Sequence, residues 1–268
     1  MLDKYNRSIT YLRISITDNC NLRCTYCVPD GFMFKNQEDR LLSFDNIIKI
    51  VKAGSDIGIT KIRLTGGEPL LRKGVEELVS RIKGVAGIKE LTMTSNGVLL
   101  KRLAKSLKDA GLDRINISLD TLNPLKYREI TRGGNILHVL AAIDEVIAVG
   151  FKDTKINTVV MPEFNGNEID EIRQFCQDKG LYLQRINHYS LSNINSIDKT
   201  YNAERPLACS VCNRIRVTAD GKIKPCLFSD IEIPINFKNI KESLMTAINI
   251  KPANGTKNTS RQNWQIGG

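Results

Sequence analysis

Between residues 11 and 186, short strand-like runs alternate with longer runs of helical periodicity, and this alternation restricts the chain to an α/β architecture with a parallel sheet. Strand-like runs cover residues 11–17 (YLRISIT), 61–65, 91–94, 115–119, 155–160 and 181–186. A helical pattern starts at Ser43 and runs through Phe44, Ile47, Ile48 and Val51; others cover residues 75–82, 99–110, 136–149 and 169–179. Six such units predict a partial (β/α)6 TIM-like barrel. With 41% hydrophobic residues, a chain of 268 can bury one large core. After Asn187 the alternation stops, and a polar loop (SLSNINSIDKTYNAE) leads into a cysteine-rich hairpin. The expected division is therefore a barrel over residues 1–187 and a small C-terminal extension over 188–268.

The chemically unusual residues fall after the strands. The run D-N-C-N-L-R-C-T-Y-C follows the first strand, Gly66-Gly67-Glu68-Pro69 the second, Ser95-Asn96-Gly97 the third and Asp120 the fourth. In strand–helix barrels the loops at the carboxyl ends of the strands converge on the active site, while the opposite rim serves stability. A single glycine turn there would be an ordinary tight turn. Four coincidences on one rim point to a site.

Cys20, Cys24 and Cys27 have the spacing C-x3-C-x2-C. A 4Fe–4S cluster usually takes four thiolates, so three close cysteines leave one iron open to a small molecule. The alternatives are a zinc site short of a ligand and a ferredoxin-like carrier. Zinc usually pairs C-x2-C with a second pair or with histidines, and a ferredoxin run would carry its fourth cysteine nearby. Cys209, Cys212 and Cys226 form a second trio, C-x2-C-x13-C, within RPLACSVCNRIRVTADGKIKPCLFSD. The same reasoning makes it a second cluster with an open iron, against a zinc knuckle completed by a residue such as His188. Cys176, in helical register with Ile169 and Ile172, reads as core. His138, within a helical run, reads as packed or surface.

The formal charge of +10 favours an anionic partner such as a nucleotide, although a solvated basic surface gives the same total. There is no aromatic RNA-recognition signature, zinc-finger spacing or basic tail, so nucleic acid is not indicated. No apolar run approaches membrane-spanning length, and residues 1–7 lack a signal-peptide apolar segment; the expected location is the cytoplasm, where cysteines bind metals or catalyse. An odd count of seven cysteines agrees.

The first cysteine trio with Tyr26, followed by Gly66-Gly67-Glu68-Pro69, resembles the radical S-adenosylmethionine (radical SAM) superfamily. The two trios together, the C-N-R-I-R segment and the Ile-Gly-Gly end resemble its MoaA-like GTP 3′,8-cyclase family, from Arg13 to Gly267-Gly268. The resemblance implies two [4Fe–4S] clusters and S-adenosylmethionine, whose cleavage yields a 5′-deoxyadenosyl radical. It also implies that this radical takes the hydrogen at ribose C3′, that C3′ bonds to guanine C8, and that an electron and a proton complete a cyclic dihydro-GTP for molybdenum-cofactor biosynthesis. Position by position, Tyr26, Gly66, Gly67, Glu68 and Ser118 would surround S-adenosylmethionine, and Arg13, Arg63, Thr94, Lys155, Arg214 and Arg216 would contact GTP. Catalysis would rest on Cys20, Cys24 and Cys27 with Arg214 and Arg216, and residues 261–268 would thread into the substrate site. The family further implies a reductant such as flavodoxin or ferredoxin, and it is compatible with a homodimer.

The departures lie on the substrate side. The segment after the sixth strand is shorter than the family pattern, and Gln184 stands where an arginine is expected, with Arg185 one place on. Strand side chains alternate faces, so Arg185 would point away from the cavity unless the strand bulges. Tyr189 replaces a methionine, and His188 is a candidate contact to substrate or cluster. Two further readings stay open on these residues: a divergent paralogue acting on another nucleotide-like metabolite or a peptide, and a non-catalytic iron–sulfur electron-transfer protein.

Overall fold

The computed structural model describes residues 1–34, 38–197 and 202–267. Part of the polar loop, and Gly268 of the expected tail, therefore lie outside the described residues. In chain order the elements are β1 (Tyr11–Ser15), α1 (Phe44–Ser55), β2 (Lys61–Thr65), α2 (Val75–Lys83), β3 (Glu90–Ser95), α3 (Leu100–Asp109) and β4 (Arg114–Ser118). There follow α4 (Pro124–Ile130), α5 (Ile136–Ala148), β5 (Lys155–Val160), α6 (Pro162–Asn165), α7 (Ile169–Asp178) and β6 (Tyr182–Asn187). The C-terminal part adds β7 (Arg214–Val217), β8 (Lys222–Lys224), β9 (Ile233–Pro234), α8 (Ile240–Asn249) and α9 (Asn263–Ile266).

Strands β1 to β6 pair in parallel in sequence order, as the alternation predicts. The sheet does not close: β7 joins the free side of β1 in parallel, and β8 and β9 continue it antiparallel. The C-terminal cysteines are thereby carried to the side of the first strand. Among the described residues no helix is long and apolar enough to cross a membrane.

Each strand is two-sided, which ordinary parallel strands buried under helices on both faces are not. On one face Leu12, Ile14, Ile62, Leu64, Leu91 and Met93 are wholly buried with the helices, each contributing roughly 1.5–3 kcal/mol by leaving water. The alternate positions are polar, and register stacks them side by side: Arg13 faces both Arg63 and Arg216, Arg63 faces Thr92, and Asn116 faces Lys155. Of these, Arg13, Arg63, Lys155 and Arg216 line the concave interior. Ser43 begins α1 as expected, its Oγ accepting from the Asn46 N–H at 3.2 Å. Helix α4 was not expected; Asn123 caps it through Leu125 N at 2.9 Å, and Pro124 opens it. Cys176 is buried on α7 and His138 is exposed on α5, as their surroundings in sequence suggested.

Candidate active site

The loop after β1 brings Cys20, Cys24 and Cys27, with Tyr26, to a cavity that Gly66, Gly67, Thr94 and Ser118 also line. Burial pushes the thiols up, Cys20 to about 11 and Cys27 to about 12, with Cys24 also well above its ordinary value. Without metal these groups hold their protons at neutral pH, so iron binding must displace them. The charges of Cys20 and Cys27 both act on Cys24, so the three are neighbours. Among the described residues, however, no three metal-ligating side chains converge on a single point. Three thiols drawn together on one cavity, with no histidine or fourth cysteine beside them among the described lining residues other than His188, are the donor set of a [4Fe–4S] cube with one open iron.

The Gly-Gly turn has a reason beyond access to a ligand. Gly67 N donates to Thr17 O at 2.9 Å and Glu68 N to Asn19 O at 2.7 Å, fastening the turn to the backbone entering the cysteine loop. A Cβ on Gly66 would lie 2.5 Å from Thr17 O, and one on Gly67 would overlap the Asn19 carbonyl. Gly67→Ala is therefore expected to destabilise the protein by about 3 kcal/mol in urea unfolding. The control is Gly84→Ala, where the nearest atom is 3.6 Å away. Equal midpoints for the two variants would refute this account of the turn.

Glu68 does not line the cavity. Its carboxylate turns inward, wholly buried, and accepts from Leu70 N, Ser95 Oγ and Asn96 N at 3.1, 2.9 and 2.7 Å. Burial raises it to about 7 although all three hydrogen bonds pull it down. It thus positions the loop after β3, where Asn96 Nδ2 reaches Asn21 Oδ1 at 2.8 Å. Tyr26 does line the cavity, and its hydroxyl donates to Asp120 Oδ2 at 2.8 Å, giving the aspartate after β4 a positioning role. His188 also lines this cavity.

A second cavity holds about 1030 Å³ of non-atom space and shares Asn157, Ile186 and Tyr189 with the first, so the two adjoin. The expected Arg13, Arg63, Lys155, Arg214 and Arg216 all line it; Thr94 stands on the first cavity's wall and accepts from Arg63 Nη1 at 3.1 Å. The sequence reading missed Lys61, Arg114, Arg205 and Lys251, which bring the cations on this wall to nine, with no carboxylate among the described lining residues. Lys61 and Arg114 could have been found, because they share the inward parity of Arg63 and Asn116. Burial, then the charge of Arg216, drives the Arg13 guanidinium well below its ordinary value. Glu90 pairs with Lys61 at 2.5 Å and with Arg114 at 2.7 Å, and one carboxylate among so many cations leaves like-charge repulsion that a polyanion would relieve.

Cys212 and Cys226 lie on the same wall, and Cys209 is near enough for its charge to act on Cys226. Burial would raise Cys212, yet the charge of the almost wholly buried Lys251, with the Arg214 amide and guanidinium, leaves it lowered. Lys251 Nζ is held by Pro225 O at 2.7 Å and Arg214 O at 3.0 Å. A cation beside thiolates suits an anionic cluster.

The C-terminal segment reaches both cavities. Gly267 O accepts from Arg13 Nη2 at 2.7 Å and Arg216 Nη1 at 3.1 Å, and Trp264 lines the first cavity. The backbone of Gly267 is left-handed (φ 62°), and an added Cβ would lie 2.7 Å from Thr65 Oγ1, so only glycine fits. Arg261 does not enter the cavity but anchors the root of the tail, pairing with Asp220 and Glu232, each at 2.8 Å. Arg185 points outward to Glu204 from a strand in unbroken register, while Gln184 faces the cavity and donates to Asn157 Oδ1 at 2.9 Å.

The model of the Radical SAM superfamily matches residues 14–176. The GTP 3′,8-cyclase of Alkaliphilus oremlandii is 38% identical over 100% of both chains. Those of Petrotoga mobilis and Thermodesulfovibrio yellowstonii are 38% and 37% identical, over 94% and 97% of each chain. Among solved structures, Streptococcus suis SuiB bound to S-adenosylmethionine superposes with a TM-score of 0.69 at 18% identity, covering 90% of this chain and 67% of that one. The structure of anSMEcpe with bound AdoMet gives 0.66 at 17%, covering 91% and 81%. At these identities the structures share the fold.

Proposed function

The chain belongs to the radical SAM superfamily and, within it, to the GTP 3′,8-cyclase family, and on this premise we propose that it converts GTP to 3′,8-cyclo-7,8-dihydro-GTP, the first step of molybdopterin biosynthesis. The observation that carries the reading is the pair of adjoining cavities, one walled by three cysteines and the other by nine cations beside a second cysteine set. When bound, a [4Fe–4S] cluster at Cys20, Cys24 and Cys27 with S-adenosylmethionine supplies the deoxyadenosyl radical, and a second at Cys209, Cys212 and Cys226 supplies an open iron for the guanine.

The chain's own residues then divide the work. Tyr26, fixed by Asp120, and Ser118 with the Gly66-Gly67 turn shape the space for S-adenosylmethionine. Arg13, Arg63, Lys155, Arg214 and Arg216 offer donors to the triphosphate and base, suited to bidentate contacts with phosphate. Tyr189, edge-on against Phe228 at 5.2 Å, lines both cavities where they adjoin and so borders the space between the two cysteine sets. So cationic a wall favours a polyanion over a peptide. A one-electron donor such as flavodoxin or ferredoxin completes the system.

The test is anaerobic turnover of reconstituted enzyme with reductant, S-adenosylmethionine and GTP deuterated at C3′. Deuterium is expected in 5′-deoxyadenosine, together with a product isomeric with GTP. Cleavage of S-adenosylmethionine that leaves GTP intact and its label in place would overturn the substrate assignment while leaving the radical chemistry.

A further inference from the structure

Most cations of the basic cavity come from strands, but Arg205 comes from the connection between β6 and β7. Its backbone lies along β6: Asn187 N donates to Arg205 O at 2.8 Å, and Ile186 and Arg205 form a parallel bridge. On the outer side of the strand, Arg185 grips the preceding residue. Arg185 N and Nη2 donate to the two carboxylate oxygens of Glu204, both at 2.7 Å, and Nη2 also reaches Asn202 O at 2.8 Å. With Glu204 clasped outside, the next side chain enters the cavity.

Within the cavity Arg205 is incompletely satisfied. Its Nη1 is buried with no hydrogen-bond partner, and burial, with the charges of Arg214 and Arg63, holds the guanidinium below its ordinary value. A buried donor without an acceptor is costly, and facing like charges adds to the cost. Nearby on β6, the inward position is occupied by Gln184, which is neutral and already committed to Asn157.

We propose that Arg205 is a contact for the polyphosphate of the substrate, held in place by the Arg185–Glu204 clasp, and that it supplies the charge that Gln184 leaves absent from the β6 side of the cavity. This rests on the nucleotide triphosphate reading above. Arg205 is then a binding residue, and Arg185 and Glu204 are positioning residues.

The experiment is titration calorimetry of reconstituted holoenzyme with GTP, guanosine and inorganic tripolyphosphate, together with thermal unfolding. Arg205→Ala is expected to weaken GTP and tripolyphosphate by about tenfold to a hundredfold, the scale of one charge-assisted hydrogen bond, and to leave guanosine unchanged. Without ligand its melting temperature is expected to equal or exceed that of the wild type, whereas a merely structural arginine would lower it. Adding Gln184→Arg to Arg205→Ala is expected to recover most of the affinity, and Glu204→Gln to weaken binding in the same direction. Unchanged tripolyphosphate affinity in Arg205→Ala, or a lowered melting temperature with equal loss for guanosine, would overturn the proposal alone. Wild-type enzyme that binds neither GTP nor tripolyphosphate would overturn the nucleotide reading beneath it.

Discussion

Replacing Cys24 with serine is expected to abolish cleavage of S-adenosylmethionine while sparing the second cysteine site. Cys24 lies between Cys20 and Cys27 in sequence and feels the charges of both, so its loss breaks the cysteine trio on the first cavity wall. With three thiolates already one short of the usual four, a site with two cannot retain the cube. Iron should fall from about eight to about four per chain in anaerobically reconstituted protein, with the remainder held at Cys209, Cys212 and Cys226. Formation of 5′-deoxyadenosine should fall by at least about 10⁴-fold, or ~5.5 kcal/mol. The matching control is Cys176→Ser, because Cys176 is 1% exposed on α7 and packs in the core; its iron content should stay at the wild-type value. A Cys24→Ser protein that keeps full iron, or a Cys176→Ser protein that loses half, would require a different assignment of ligands.

How much of this was legible depended on whether the information was local. The strand–helix alternation, the cysteine trios and the turns after β1, β2, β3 and β4 are written in short stretches, because periodicity and the carboxyl-end rule act over a few residues. Gln184 and Arg185 were also separable by parity, and unbroken pairing of β6 with β5 preserves that parity. What could not be read was decided by contacts across the chain. Nothing near Glu68 in sequence indicates that Ser95 and Asn96, nearly thirty residues on, will turn its carboxylate inward. Arg205 and Lys251 belong to loops, and only β6 and the β7 region, respectively, give their side chains a direction. Arg7 is similar: it is buried near the N-terminus and donates to Cys209 O at 2.9 Å, steadying the second cysteine site from 202 residues away.

Arg216→Ala should produce the largest loss on the substrate side, because this side chain serves two functions. It is 5% exposed, stands opposite Arg13 across the β1–β7 pairing, and lines the basic cavity. Its Nη1 also holds Gly267 O, jointly with Arg13, so truncation removes a donor for the substrate and an anchor for the tail. Together these should lower kcat/KM for GTP by about 10³-fold, or ~4 kcal/mol, of which Arg216→Lys recovers only part because an ammonium cannot reproduce the guanidinium fork. The two contributions can be separated by a cycle with a chain ending at residue 266. If Arg216 acts chiefly through the tail, the truncated chain should lose as much as Arg216→Ala, and combining the changes should add little. If it acts chiefly on the triphosphate, the losses should add, and the Arg216→Ala deficit should shrink as salt rises, since screening already weakens the wild-type contact. An Arg216→Ala enzyme with wild-type kcat/KM would mean that the cations of this wall serve the fold rather than the substrate.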